Sequence, residues 1–443
     1  MQSTEYIQSV DVCRPLGAGE HIFWLHDRAH PVHFAITAQI KGQFTVCQLQ
    51  QALNLVQQRH PLLQVSIMLD EAERPWFVKH SACIPLRVVH RQSEQCWQRE
   101  VEREIATPFD WSKAPLARVV LVYSGAELSE LIVICHHSIA DGISGIYLIR
   151  DILQAIVTPA DFGKSLSVPP SVEDLIAGEA PETISSSKPT PKFRNDSFVP
   201  MQRARQNNRS FVSSGSLSPE TTRLLVAQCR QEQTSVHAAI CAAFLLAIRH
   251  QNYLEQRQSI NCGSPISLRP YLTSVNHEDV SFYITGGRTS HLLSSNVNLW
   301  DVARSVKSQL NQSTIVDKLF EKVFQGQKWL STNPSPEHAL QAFKDQAGYD
   351  ICVSNLGRLL IEQQFGKLEL EAIYGPVVTT GVENDRLVGV VTLGERLFLT
   401  LVCSEKVMSR SESETLHEEA IHLLKRYCQL NGINPKISTM ISE

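Results

Sequence analysis

The spacing of apolar side chains changes between strand-like and helix-like patterns through the first part of the chain. Residues 45–59 place Leu49, Leu53 and Val56 on one face, which predicts an amphipathic helix that ends before Pro61. Similar patterns predict strands at residues 33–41, 62–67, 116–123 and 130–136, and helices at residues 45–59, 93–105 and from 143 onward. This part of the chain is therefore predicted to mix strands and helices.

The second part of the chain repeats this mixture without a recognisable sequence repeat. Ser218 followed by Pro219 is a typical helix start, and Ser411 with Glu414 predicts a capping box for a last helix that Gly432 closes. The patterns predict helices from 218, at 234–249 and at 412–430, strands at 281–287 and 351–356, and a hairpin of 388–393 and 396–402 with a turn at 394–395.

Residues 158–200 differ from the rest, because they are rich in proline and contain the run Ser185 to Ser187. Only residues 172–176 have a helix-like pattern there. A chain of 443 residues is also long for a single hydrophobic core. We therefore predict a domain at 1–160, a crossover linker at 161–200 and a second domain at 201–443.

Composition and charge narrow the function. The chain is 43% hydrophobic and 19% charged, as globular proteins are, and its net charge is only −4. We therefore expect neither nucleic acid nor an anionic membrane as the main partner. The longest apolar run, residues 238–248, is shorter than the roughly 18 to 20 residues of a membrane-spanning helix and predicts a buried helix instead.

The 11 cysteines are scattered, and none forms a Cys-x-x-Cys pair. This spacing argues against a zinc site and against a dithiol redox motif. Several of the cysteines lie in apolar runs, where a free thiol packs as a small hydrophobic group. The N-terminal segment also lacks the apolar core of a secretory signal, so a cytoplasmic location is expected.

Candidate chemistry is concentrated in residues 136–142, His-His-Ser-Ile-Ala-Asp-Gly, where a predicted central strand gives way to a helix. Adjacent side chains of a strand point to opposite faces, so one of His136 and His137 is expected to face a cavity. A histidine is the natural acceptor for a proton from a hydroxyl or an amine. Gly142 lacks a side chain at the start of the helix, which would let a slender substrate approach.

Two other interpretations of this segment remain open. His136 and His137 can be core histidines beside a turn aspartate, with no chemical role. His137 and Asp141 can also be two ligands of a metal, although no third or fourth ligand lies nearby in the sequence. The sequence therefore predicts no metal site.

The segment resembles the His-His-x-x-x-Asp-Gly motif of nonribosomal peptide condensation domains and of polyketide-associated and alcohol acyltransferases. The resemblance covers nearly the whole chain. Further matching segments are 14–17 (Arg-Pro-Leu-Gly), 59–63 (Arg-His-Pro-Leu-Leu), 169–175 (Pro-Pro-Ser-Val-Glu-Asp-Leu), 267–270 (Ser-Leu-Arg-Pro) and 353–357 (Val-Ser-Asn-Leu-Gly). The resemblance implies an α/β fold of two chloramphenicol acetyltransferase-like domains in a pseudo-dimer, with the active site in a tunnel between them.

The resemblance also implies the chemistry. An acyl group would arrive as a thioester of coenzyme A or of the phosphopantetheine arm of a carrier protein. His137 would act as general base on an alcohol or amine acceptor, and no cofactor would be bound. His136, Asp141 and Gly142 would be structural, and Arg269 is the expected partner of Asp141. Ser354 and Asn355 are candidate donors to the oxyanion, although a plain turn at the end of a strand is an equal alternative.

The chain shows neither a carrier-arm site nor an adenylation signature, so a free-standing acyltransferase is expected. Ester formation on an alcohol is the first hypothesis, and amide formation is the second. Epimerisation of a carrier-bound aminoacyl group remains open. A non-catalytic module that docks carrier proteins is the alternative from a different class.

Overall fold

The computed structural model of the chain describes residues 6–7, 11–80, 82–125, 127–178, 192–194, 209–251, 259–276, 278–294 and 297–430. The helices are α1 (Ala18–Ala29), α2 (Val46–Arg59), α3 (Cys96–Ile105), α4 (Gly142–Val157), α5 (Val172–Ala177), α6 (Pro219–Gln231), α7 (Val236–His250), α8 (Leu299–Ser313), α9 (Val316–Leu330), α10 (Pro336–Ala347) and α11 (Arg410–Leu430). Short 3₁₀ turns occupy Pro61–Gln64, Pro159–Asp161 and Arg269–Tyr271.

The strands belong to two large sheets and two small ones. They are β1 (Tyr6–Ile7), β2 (Asp11–Pro15), β3 (Phe34–Lys41), β4 (Val65–Leu69), β5 (Pro75–Lys79), β6 (Leu86–His90), β7 (Ala117–Tyr123), β8 (Leu128–Cys135), β9 (Phe193–Arg194), β10 (Ser210–Leu217), β11 (Ile260–Ser267), β12 (Ile284–His291), β13 (Ile351–Arg358), β14 (Gln364–Phe365), β15 (Leu368–Val378), β16 (Arg386–Leu393) and β17 (Arg396–Ser404). The chain is therefore a mixed α/β protein, as the sequence predicts.

One six-stranded sheet has the order β14-β15-β3-β8-β7-β6, and the other has the order β10-β17-β16-β13-β11-β12. The first sheet belongs mainly to the N-terminal half, but its strands β14 and β15 come from the C-terminal half. Strand β8 lies between β3 and β7, so the segment that follows it leaves from the centre of a sheet. A central strand provides a rigid support for functional side chains at its end.

The two large sheets approach each other closely at glycine residues. A Cβ on Gly389 of β16 would lie 2.5 Å from the carbonyl oxygens of Gly375 and Pro376 in β15. The backbone N–H of Gly375 also donates to Thr400 Oγ1 of β17 at 3.0 Å. Only glycine permits such a close approach of two backbones, so Gly389 is required where the N-terminal sheet meets the C-terminal sheet.

Several predicted helices are confirmed, and their ends follow ordinary capping chemistry. Thr45 and Gln48 form a reciprocal capping box at α2, and Ser218 caps α6 with Pro219 in its first turn. In α7 every residue from Ala238 to Ile248 is buried. The predicted hairpin is also present, because Leu393 of β16 pairs with Arg396 of β17.

Four predicted boundaries are corrected. The strand β8 ends at Cys135, so His136 lies in the following turn. Residues 61–64 form a 3₁₀ turn, since Pro61 fixes a turn-like φ angle, and the strand starts only at Val65. The capping box of α11 joins Ser409 to Glu412, two residues before the predicted pair. Residues 281–283 precede β12, which starts at Ile284, because their backbone N–H groups bond to side chains of the N-terminal half.

The pattern missed helix α1 altogether. It begins after Gly17, and Gly19 lies in its first turn, so its start resembles a loop in sequence. Glu20 compensates, because its carboxylate accepts from the N–H of Gly17 at 2.7 Å and pairs with the buried Arg14 at 2.7 Å. Burial of this ion pair therefore fixes a helix start that glycine alone does not favour.

The predicted linker is only partly described. Helix α5 matches the predicted helical piece at residues 172–176, whereas the run from Ser185 to Ser187 lies outside the described residues, as does Gly432. The division into 1–160, 161–200 and 201–443 therefore stays a prediction.

No helix in the described part of the chain is long and apolar enough to cross a membrane. All 11 cysteines are free thiols, and seven of them are buried, including Cys135, Cys241 and Cys403. For Cys241 and Cys403 this burial agrees with a packing role in the core.

Seven buried or half-buried histidines predict a strong dependence of stability on pH. Burial lowers the pKa of each from 6.5 to about 3 or 4; they are His21, His26, His30, His137, His237, His291 and His417. Four described carboxyls oppose this: burial raises the pKa values of Asp279 and Asp385 to about 6, and it also raises those of Glu130 and Glu173. The unfolded chain therefore binds more protons than the folded chain between about pH 6.5 and 4.

We expect the free energy of unfolding to be largest near neutral pH and to fall steadily as the pH drops from 6.5 toward 4. Urea unfolding followed by tryptophan fluorescence at half-unit intervals of pH measures this directly. A free energy that stays level or rises across that window would contradict the neutral state of these imidazoles.

Candidate active site

The two histidines occupy a tight turn between β8 and α4. The N–H of Ile139 donates to the carbonyl of His136 at 3.1 Å, which closes the turn. Asp141 then caps α4, because its Oδ1 accepts from the N–H of Ser144 at 2.9 Å. Strand, turn and capped helix together hold the segment in one conformation.

His137 is held in a defined tautomer. Its Nδ1 lies 3.0 Å from the carbonyl oxygen of Ala140, and a carbonyl only accepts, so Nδ1 carries the proton. The lone pair is therefore on Nε2, for which no hydrogen-bond partner is found among the described residues. Burial lowers the pKa of His137 from 6.5 to about 4, so the imidazole is neutral at physiological pH. It is a base that is ready to accept a proton at Nε2.

Three phenyl rings surround this imidazole. The ring centroid of His137 lies 4.7 Å from that of Phe23, 4.9 Å from Phe34 and 5.6 Å from Phe282. Phe23 comes from α1, Phe34 from β3, and Phe282 from the segment before β12. Only 8% of the surface of His137 is exposed, so its surroundings are almost dry.

Arg269 contacts Asp141 across the two halves of the chain. Asp141 Oδ2 accepts from Arg269 Nη1 and from the N–H of Tyr283, the latter at 3.1 Å. Asp141 is completely buried, and the guanidinium keeps the pKa of its carboxyl below the usual value. Both carboxylate oxygens are thereby occupied, so Asp141 neither orients His137 nor offers a free oxygen to a metal.

His136 points to the packed side of the turn. Its Nδ1 accepts from the N–H of Ser138 at 3.1 Å, and its Nε2 lies 3.4 Å from Asp27 Oδ2 of helix α1. His33 approaches the same carboxylate at 3.8 Å. The two histidines hold the pKa of Asp27 far below its usual range despite complete burial. His136 therefore contacts a buried polar cluster rather than a cavity.

The remaining predicted residues are Gly142, at the start of α4, and Ser354 and Asn355, on β13. A Cβ on Gly142 would lie 2.8 Å from Leu356 Cδ2, so the space beside Gly142 is filled by a side chain of β13. Asn355 Oδ1 accepts from the N–H of Gly357 at 2.8 Å, and its amide NH₂ has no partner among the described residues. Ser354 precedes it and is buried. The oxyanion role of Ser354 and Asn355 stays a prediction.

A cavity of about 260 Å³ lies at the start of α1, and His137 is not among its lining residues. It is bordered by Arg14, His21, Ser171, Glu173 and Gln327, among others. The tunnel through the site thus stays a prediction. Within the described ranges, no cluster of three His, Cys, Asp or Glu side chains has the arrangement of a metal site.

Sequence reasoning missed Phe23, Asp27, Ser144 and Phe282, all of which support the turn. Phe23 and Asp27 lie on α1, which the pattern did not predict, as it did not predict α8, α9 and α10. Ser144 follows the motif by two residues, and its spacing of three from Asp141 is a detectable capping signal. Phe282 gave no signal, because only the folded chain brings it to His137.

Comparison with known proteins agrees with this geometry. Residues 24–176 match the family described as "Condensation domain", and residues 207–377 match the family described as "Phthiocerol/phthiodiolone dimycocerosyl transferase C-terminus". The first match contains the two histidines, and the second contains Arg269. The chain belongs to the superfamily of condensation domains and polyketide-associated acyltransferases.

Curated relatives share part of the sequence. Bacitracin synthase 2 of Bacillus licheniformis is 25% identical over 264 residues, which are 56% of this chain and 10% of the synthase. Surfactin synthase subunit 2 of Bacillus subtilis is 31% identical over 110 residues, which are 25% of this chain and 3% of that subunit. This chain thus matches a tenth or less of the length of these relatives.

Solved structures share the fold over nearly the whole chain. Polyketide synthase associated protein 5 of Mycobacterium tuberculosis has a TM-score of 0.65 at 18% identity, covering 96% of this chain and 99% of that protein. The first condensation domain of the calcium-dependent antibiotic synthetase has a TM-score of 0.68 at 15% identity, covering 95% and 97%. The trichothecene 15-O-acetyltransferase of Fusarium sporotrichioides has a TM-score of 0.67 at 12% identity, covering 96% and 97%. This likeness shows the two-domain, chloramphenicol acetyltransferase-like fold.

We expect Asp141→Asn to lower the free energy of unfolding by about 3 to 5 kcal/mol, because it leaves the Arg269 guanidinium buried without its counter-charge. Arg269→Gln should lower the free energy of unfolding less in the Asp141→Asn background than in the wild-type protein, with a coupling energy of about 0.5 to 3 kcal/mol. Chemical unfolding of the two single variants and the double variant measures this. Additive losses would show that the pair is not energetically coupled.

We expect His136→Ala to lower stability by about 1 to 3 kcal/mol, because Asp27 loses a facing imidazole and the Ser138 N–H loses its acceptor. Folded His136→Ala protein should retain most of its turnover. Asp27→Asn changes the other side of the same contact, and this variant should have a melting temperature similar to that of His136→Ala. A folded, normally melting His136→Ala protein without activity would show that the roles of the two histidines are wrongly assigned.

Proposed function

We propose that the chain transfers an acyl group from a thioester to an alcohol or amine acceptor, with His137 as general base. The donor is an acyl-coenzyme A or an acyl group on the phosphopantetheine arm of a carrier protein. Both are substrates rather than bound cofactors. The observation that carries this proposal is the tautomer of His137, whose Nδ1 proton is committed to the Ala140 carbonyl while Nε2 is free.

The acceptor hydroxyl would give its proton to Nε2 as its oxygen attacks the thioester carbonyl. The resulting tetrahedral intermediate would expel the thiolate, which would take up the proton from the imidazolium. The low pKa of His137 keeps the resting ring neutral and makes the imidazolium a strong acid that returns its proton readily, and it also makes the ring a weaker base than an ordinary histidine. The amide of Asn355 is the proposed donor to the oxyanion, in company with Ser354.

The dry, aromatic surroundings of His137 favour transfer over hydrolysis, since they admit little water. They also favour a neutral alcohol as acceptor. An amine would enter mostly as an ammonium ion, and Asp141, the nearby carboxylate, is already neutralised by Arg269. The trichothecene 15-O-acetyltransferase, whose name states transfer to oxygen, has the same fold and supports this choice.

Amide formation is the second candidate. It is supported by the match of residues 24–176 to the condensation domain family, and it would use the same base on an amine. In that case a carrier protein would be the partner on both sides of the site.

We expect His137→Ala to fold normally and to lose about 100-fold or more in rate, the usual scale for a general base. The assay is release of free thiol from a panel of acyl-coenzyme A and acyl-phosphopantetheine thioesters, with pooled alcohols or pooled amines. His291→Ala is the matched control, because His291 is also buried with a lowered pKa but lies in β12.

Acceptor-dependent thiol release that His137→Ala loses and His291→Ala keeps would support the proposal. The pool that stimulates release would identify alcohol or amine. Release that is equal in both variants would overturn the role of His137. No release with either kind of donor, together with binding of acylated carrier protein, would favour a non-catalytic docking module instead.

A further inference from the structure

The aromatic ring of Phe282 lies over the catalytic imidazole and is held there by its chain neighbours. Its centroid is 5.6 Å from that of His137 with the planes at 74°, and 4.9 Å from that of Phe23. Phe282 is only 4% exposed. Its position therefore determines how much space remains beside His137.

Both neighbours of Phe282 are bound to the start of helix α4. Ser144 Oγ accepts from the N–H of Ser281 at 3.1 Å and donates to the carbonyl of Ser281 at 2.9 Å. On the other side, the N–H of Tyr283 donates to Asp141 Oδ2 at 3.1 Å. A residue whose backbone is anchored on both sides cannot move away without breaking buried hydrogen bonds.

The ring of Phe282 also packs directly against helix α1 at Gly19. A Cβ on Gly19 would overlap the ring of Phe282, lying 2.9 Å from its Cδ1. Glycine in the first turn of a helix is otherwise less favourable than alanine. The absent side chain at Gly19 thus gives Phe282 the space to lie against α1 and to face His137.

We propose that Phe282 is a specificity-determining residue, a fixed wall that restricts the substrate to unbranched groups next to the reacting atoms. This rests on the proposed acyl transfer. Phe34 approaches the imidazole from strand β3, and Phe23 of α1 packs beside Phe282, with their ring centroids 4.9 Å apart. On this proposal the space left for substrate at Nε2 is narrow and apolar. Branching at the carbon beside the reacting hydroxyl or the thioester carbonyl would collide with the ring of Phe282.

The test compares straight and branched substrates of equal size. The donors are the butanoyl and 2-methylpropanoyl thioesters of N-acetylcysteamine, a mimic of the end of phosphopantetheine, and the acceptors are 1-butanol and 2-butanol. Phe282→Leu should raise the branched-to-straight ratio of kcat/KM about 10-fold or more, since a pocket discriminates on that scale per methylene group. The gain applies to the donor pair, the acceptor pair or both.

Gly19→Ala tests the position of the Phe282 ring from the side of helix α1, because the new methyl group pushes this ring toward His137. It should lower the branched-to-straight ratio in the wild-type background. In the Phe282→Leu background it should have little effect, since the shorter side chain leaves room. Gly326→Ala is the matched control, because this helical glycine of α9 also faces α1 but meets Ile22 Cδ1, at 3.1 Å from the built Cβ.

A second readout needs no turnover. Diethyl pyrocarbonate acylates neutral imidazoles, and peptide mass spectrometry reports its rate at His137 separately from the other histidines. Phe282→Leu should increase that rate several-fold, whereas Gly326→Ala should not. Unchanged reagent access and unchanged substrate ratios would contradict the role of Phe282 as a wall, but they would not contradict the proposed acyl transfer. If Phe282→Leu increases reagent access at His137 but neither the wild-type protein nor any variant transfers an acyl group, the proposed function is contradicted and the wall is supported.

Discussion

The buried ion pair between Asp141 and Arg269 is the interaction on which the rest of the site depends. It joins the cap of α4 in the N-terminal half to the segment before β12 in the C-terminal half by a direct contact. Two opposite charges removed from solvent are best tolerated when most of their remaining hydrogen bonds are satisfied. The N–H groups of Ser144 and Tyr283 occupy the two carboxylate oxygens, and the carbonyl of Asp279 accepts from the guanidinium at 3.2 Å, whereas Arg269 Nε has no hydrogen-bond partner among the described residues. The pair therefore fixes the relative position of two segments rather than doing chemistry.

In this arrangement the residues that position the site differ from the residue that is proposed to react. His137 takes its orientation from the carbonyl of Ala140 in its own turn, so it needs no carboxylate partner. His136 provides the opposite anchor by contacting Asp27 in α1, the helix that also carries Phe23. Two adjacent histidines thus have different environments: His136 faces a buried carboxylate, and His137 is surrounded by phenyl rings.

The sequence predicts part of this well and part of it poorly, for physical reasons. Amphipathic helices such as α2 and the buried helix α7 follow from local periodicity, which one chain segment reveals on its own. Helix α1 does not, because its glycines look like a loop and its stability comes from the Arg14–Glu20 ion pair. The motif reveals His137 and Asp141, and the resemblance pointed to Arg269. Phe282 and the pairing of β15 with β3 depend on contacts between distant segments, which no local pattern contains.

The tautomer of His137 suits its proposed role as base in a site that burial makes unfavourable for charge. Burial lowers its pKa to about 4, so the resting protein avoids a buried imidazolium. Burial alone would not decide which ring nitrogen carries the proton. The Ala140 carbonyl decides this, and it can do so only because the turn from β8 to α4 is short and closed. The carbonyl is in turn held by the cap at Asp141, so the ion pair that joins the two halves also fixes which nitrogen of His137 is available to accept a proton.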